Sequence, residues 1–94
     1  EKRDRQYTRD VLSKFYPNPF RTKAYLLFNV PEKQYIKVEL LDIYGIVVDE
    51  LYQGSLPYGP HEIYIDGNDL SSGAYLYRIK GQNFVKTGKL ILNK

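Results

Sequence analysis

The side chains able to do chemistry in this chain are few, and their spacing suits structure better than reaction. Catalysis needs a poised acid, base or nucleophile, and the single histidine, His61, alternates with Ile63 and Ile65 at strand spacing. That pattern makes His61 a core or half-buried residue rather than a base. Ser71 and Ser72 stand together before Gly73, but no histidine is near them in sequence and no Gly-x-Ser-x-Gly elbow is present. Asp66, Asn68 and Asp69 offer oxygen ligands at close spacing, as a hard cation such as calcium would accept. The twelve-residue loop with its closing Glu is missing, however, and Asp, Gly and Asn together meet the backbone demands of a tight turn. The chain has no cysteine, which excludes disulfides, thiolate metal sites and cysteine nucleophiles. The expectation is a protein that is not an enzyme and uses no metal and no cofactor.

Charge and length narrow the class further. At 94 residues the chain is one domain, able to bury a core but near the size where stability is modest. Residues 1–69 hold nine basic and eleven acidic side chains, whereas residues 70–94 hold five basic ones (Arg78, Lys80, Lys86, Lys89, Lys94) and no acid. Ten tyrosines and a pI near 9.1 raise base stacking on a basic surface. The tyrosines scatter along the whole chain and serve equally well as cross-strand partners. A net charge of +3 is small for a phosphate footprint, so no nucleic-acid partner is expected. Apolar runs such as Ala24 to Phe28 or Ile46 to Val48 are far shorter than the ~20 residues a spanning helix needs, so no membrane insertion is expected. A start on charged residues without Met suggests a segment of a longer polypeptide.

The elements that must position these residues are strands. Residues 1–10 alternate in sign with no apolar repeat and read as a charged, solvated linker open to disorder. The domain proper is residues 11–94. Val11 to Tyr16 reads as a short first strand, ended by Tyr16-Pro17-Asn18-Pro19-Phe20, whose two prolines fix φ and remove two backbone donors. This pentapeptide is expected to be a rigid, extended crossover with Tyr16 and Phe20 as aromatic anchors. Lys23 to Val30 alternates, and Pro31 stops it. Gln34 to Ile43 follows with Ile36, Val38 and Leu40 inward and Lys37 and Glu39 outward. Gly45 then supplies the positive φ of a hairpin turn before Ile46 to Tyr52.

Gly54 to Pro60 reads as a loop by composition and His61 to Asp66 as a strand. Ala74 to Lys80 and Phe84 to Leu92 complete a seven-stranded antiparallel β-sandwich of the immunoglobulin-like kind. Leu70-Ser71-Ser72-Gly73-Ala74-Tyr75 has the layout of a tyrosine corner, in which the Tyr75 hydroxyl returns to the backbone a few residues upstream. The expected core is Leu26, Phe28, Val38, Leu40, Val48, Ile63, Tyr75, Tyr77, Leu90 and Leu92.

Six pieces in this order and spacing resemble one known family. They are Tyr16 to Phe20, Asn29-Val30-Pro31-Glu32, Val38 to Val48 with Asp42-Ile43-Tyr44-Gly45 at its centre, Gly59 with His61, Gly73 to Arg78, and Lys89-Leu90-Ile91-Leu92. Together they resemble the type A C-terminal sorting domain of the type IX secretion system, over roughly residues 11–94. The immunoglobulin-like module of flagellar hook-capping proteins is a relative that shares the Pro-Asn-Pro opening and the Asp-Gly turn.

The resemblance implies a transport tag. It implies a passenger domain on the N-terminal side of the same polypeptide, transit through the periplasm, and recognition by an outer-membrane translocon. It further implies removal by a sortase-like peptidase and attachment of the passenger at the cell surface or release outside the cell. The residues expected to be read are those of the last strand, Lys86, Lys89, Leu90, Ile91, Leu92, Asn93 and Lys94, because an edge strand is accessible to strand addition. Lys86 and Lys89 are expected to point outward. Tyr16, Pro17, Asn18, Pro19, Phe20, Gly45, Leu70, Gly73 and Tyr75 are expected to be architectural. The alternative function is a non-catalytic accessory module, binding carbohydrate or protein, retained on a secreted multidomain enzyme.

Overall fold

The computed structural model describes residues 11–94, and the charged segment 1–10 lies outside the described residues. Seven strands form: β1 (Ser13–Tyr16), β2 (Lys23–Val30), β3 (Gln34–Leu41), β4 (Val47–Leu56), β5 (Gly59–Asp66), β6 (Gly73–Lys80) and β7 (Val85–Leu92). They pair antiparallel into two sheets, β1-β2-β5 and β4-β3-β6-β7. The sheets face each other as a β-sandwich, the arrangement expected from the spacing of the apolar runs. Alternation decides which side chains meet between them: Ala24, Leu26, Phe28 and Val30 of β2 oppose Ile36, Val38 and Leu40 of β3, all nearly inaccessible to solvent. Phe15, Phe20, Ile65, Tyr75, Tyr77, Ile79, Leu90 and Leu92 complete this core.

Two turns carry their sequence signals into geometry. Asp42 accepts the Tyr44 and Ile46 amides on its carboxylate at 2.9 and 3.0 Å, and Gly45 follows at φ +86°, a conformation that a Cβ would strain. The corner forms as well. Tyr75 donates its hydroxyl to the Ser71 carbonyl at 2.6 Å while its ring lies in the core. Tyr75→Phe deletes that hydroxyl and leaves the Ser71 carbonyl unpaired, so a loss of about 1–3 kcal/mol is expected in urea unfolding. A loss near zero would show that the bond contributes nothing.

Several expectations are corrected. Val48 is 42% exposed rather than core. The β3–β4 pairing slips between Val38/Glu39 and between Leu40/Leu41, leaving Leu51 and Val48 as extra residues on β4. Each bulge resets the alternation, so period-two counting from Ile46 fails. Ile63 is half-buried and packs against the core from β5. The Gly54–Pro60 loop shrinks to Pro57 and Tyr58, because Leu56 still pairs with Gln34 and Gly59 already pairs with Val30.

Tyr16 is not a core anchor. It points to the outer face of the smaller sheet, where Tyr16, Tyr25 and Tyr64 form one cross-strand row with ring centroids 5.8 and 5.7 Å apart. The inward neighbours of the crossover are Phe15 and Phe20, packed edge to face at 5.3 Å. Between them the segment is bent rather than extended, with the Tyr16-Pro17 and Asn18-Pro19 bonds both cis.

Strand direction gives the sandwich two distinct poles. Val11 and Leu12 lie at one, Leu12 tied to Asn29 through both its amide and its carbonyl, together with the β2–β3, β4–β5 and β6–β7 connections. At the other are the Pro17–Thr22 crossover, the β3–β4 turn, the β5–β6 loop and Lys94.

Candidate functional site

β7 is an edge of the four-stranded sheet, and an edge ordinarily leaves a row of amides and carbonyls for another chain. Here the row is already filled over its last turns. Asn18, between its two prolines, donates its side-chain amide to the Lys89 carbonyl at 3.2 Å and accepts the Ile91 amide at 3.0 Å. Phe20 continues the same line with its backbone, donating to the Ile91 carbonyl at 2.9 Å and accepting the Asn93 amide at 2.8 Å. The prolines cannot donate, so one asparagine side chain and one residue of main chain act as a two-point clamp. Lys94 is held in turn, its amide on the Ser72 hydroxyl at 3.1 Å and its ammonium on the Asn68 carbonyl at 2.8 Å.

The expected recognition residues therefore divide. Leu90 and Leu92 are buried in the core and Asn93 is paired to Phe20. Lys89 and Ile91 face outward from the sheet, Ile91 at 39% exposure. Lys86 does not share their side. It stands three residues from Lys89 on an unbulged strand, hence on the opposite face with Leu90 and Leu92, and is half-buried. Ready accessibility of this edge to strand addition is corrected for Lys89–Asn93. The backbone there is occupied, and the unclamped part of β7 is its first half, from Val85.

The outer face of the same sheet carries an acid held below its ordinary value. Glu39, opposite Arg78 across the β3–β6 pair, receives both Nε and Nη2 of Arg78 on a single oxygen at 3.1 and 2.8 Å, with Lys37 Nζ at 3.7 Å from the other. Glu39 points outward as expected, yet it is buried beneath these cations. The Arg78 hydrogen bonds, helped by the charges of Arg78, Lys37 and Lys80, hold its carboxyl below the ordinary Glu value despite the opposing effect of burial. The folded form thus binds this proton less tightly than the unfolded chain. Its stabilisation is complete above the ordinary Glu range and disappears as pH falls through the lowered folded value. Urea midpoints taken from pH 7 downward should fall over that window, and Glu39→Gln should flatten the fall. An unchanged acid limb in the variant would contradict the assignment.

The residues weighed for chemistry have structural partners. His61 Nε2 lies 2.9 Å from the Pro57 carbonyl, which can only accept, and its ring tilts against Phe28 at 6.0 Å. Asp66 accepts the Asn68 amide at 2.9 Å, as turn chemistry requires. Among the described residues no three His, Asp or Glu side chains gather into a possible metal site.

The clamp on β7 uses Tyr16-Pro17-Asn18-Pro19-Phe20 and Lys89-Leu90-Ile91-Leu92, the first and last of the six motif pieces, and joins them in space. Residues 14–93 match the family described as the secretion system C-terminal sorting domain. The chain belongs to that family. No curated protein and no solved structure matches it. Such a domain is a C-terminal signal for type IX secretion. It accompanies a passenger fused on its N-terminal side, engages the secretion machinery, and implies export to the cell surface or extracellular space. Sorting domains of this family are in general non-catalytic.

Sequence reading missed the clamp, because an Asn18 bond to a strand more than 70 residues away has no local signature. The available hint was an amide side chain, donor and acceptor in one, placed where the flanking prolines remove backbone donors.

Proposed function

We propose that this sorting domain is read in the periplasm by the outer-membrane translocon through the outward face of β7 and the C-terminal pole, centred on Lys89, Ile91 and Lys94. A sortase-like peptidase then removes the domain, and the passenger is attached at the surface or released. The observation that carries this reading is the family match over residues 14–93, from the strand before the clamp to the residue the clamp holds last. The clamp supports recognition by side chains, since Asn18 and Phe20 already occupy the backbone a strand-adding partner would use there.

The test fuses a reporter passenger with its own periplasmic signal ahead of Glu1, in a host with the type IX system, and measures protease-accessible reporter on intact cells. Lys89→Glu reverses an exposed charge and should change stability by less than about 0.5 kcal/mol. The expected result is unchanged folding with the passenger accumulating in the periplasm. Unchanged export would place recognition away from the β7 face.

A further inference from the structure

The β3–β4 hairpin exposes more apolar surface than its turn requires. Tyr44 is 83%, Ile46 63%, Ile43 61% and Val47 45% exposed, at the tip of a hairpin whose backbone is set by Asp42 and Gly45. The turn would form with polar residues at the exposed positions, so folding does not explain them; contiguous patches of this kind mark interaction sites. Val47 pairs with Leu41 and Leu41 with Leu76, so the exposed tip is seated on the buried Leu41 at the end of the sheet.

The charge along the chain on either side of the tip is one-sided. From Val38 to Tyr77 there is no Lys or Arg, and Asp49 and Glu50 follow the hairpin directly. The tip also lies at the pole opposite Val11. We propose that this hairpin is a second docking surface of the sorting domain, inserting Tyr44 and Ile46 into an apolar recess of a protein partner rimmed by Lys or Arg. The inference rests on the sorting reading. An acidic rim opposes an anionic lipid surface, which favours a protein partner.

The reporter fusion tests it with two variants of the full chain. Tyr44→Ser with Ile46→Ser removes the anchors while the backbone bond from Asp42 to Ile46 remains available. Asp49→Lys with Glu50→Lys reverses the rim. Each is expected to leave the thermal midpoint of the purified chain unchanged and to lower surface reporter by at least about tenfold, as loss of a central anchor does at interfaces. Should the double serine variant fail to fold, Tyr44→Ser alone decides, since that ring is almost wholly in solvent. Surface export of the unmodified fusion together with full export of the folded variants overturns the hairpin proposal alone. Failure of the unmodified fusion to reach the surface overturns the sorting reading and the hairpin proposal with it. A third arm sediments the purified chain with phosphatidylglycerol vesicles. The chain is expected in the supernatant, and pelleting that depends on Tyr44 would overturn the protein partner in favour of a membrane.

Discussion

Phe20→Ala is expected to cost about 3–5 kcal/mol, a large share of the ~5–15 kcal/mol that holds a domain of this kind together. Phe20 is 1% exposed and closes the C-terminal pole of the core. Its ring meets Phe15 edge to face, and Gly67 approaches so closely that an added Cβ would stand 2.9 Å from it. Leu92 borders the same spot, 3.2 Å from that Cβ position. Three elements thus converge on one ring, and little nearby can collapse into the space it leaves. The backbone half of the clamp survives the substitution, because Phe20 bonds Ile91 and Asn93 through its main chain. The measurement is the urea midpoint at constant m. A loss below about 1 kcal/mol would mean that the pole repacks and that Phe20 is not its keystone.

The second large effect is expected at Gly88. A Cβ there would run into the Tyr77 ring, and that ring is held from two sides, its hydroxyl 2.7 Å from Ser13 Oγ and its face stacked 6.2 Å from Phe15. The ring cannot withdraw without giving up both contacts. Gly88→Val is therefore expected to destabilise by about 1–3 kcal/mol through overpacking. The same change made in a Tyr77→Ala background should cost far less, since the obstacle is gone. Additive losses in the two backgrounds would contradict the contact.

Legibility followed the range of the interactions. β2 is read residue for residue from Lys23 to Val30, because alternation is local and both neighbouring strands are regular. The tyrosine corner is read as well, since Tyr75 and Ser71 are four residues apart. Val48 is misread because a bulge adds a residue to one strand, and nothing within β4 marks where the register slips. Tyr16 and Phe20 look equivalent as aromatic brackets, yet Tyr16 closes a strand whose inward residue is Phe15, so the bracket turns outward. The pairing of Lys86 with Lys89 as outward charges overlooks that an odd spacing on a strand splits the faces. Glu39 is placed on its correct face, and its burial comes from Arg78 on another strand.

The candidate site was half legible. The last strand was located, and its hydrophobic residues were assigned inward by the same alternation that buries Leu90 and Leu92. Its state was not, because the clamp joins residues 18 and 20 to residues 89–93 across nearly the whole chain. The exposed hairpin was hidden for the opposite reason: a run such as Ile46-Val47-Val48 reads as strand interior, and only the finished topology shows that it opens a bulged edge strand and stays exposed.

The sorting account is tested most directly by one comparison. A reporter with a periplasmic signal, carrying residues 1–94 at its C-terminus, is expressed in two otherwise identical hosts, one with and one without the type IX outer-membrane translocon, and surface-accessible reporter is measured on intact cells. The account expects the reporter at the surface of the first host and in the periplasm of the second. Equal surface reporter in both hosts, or periplasmic reporter in both, would contradict it.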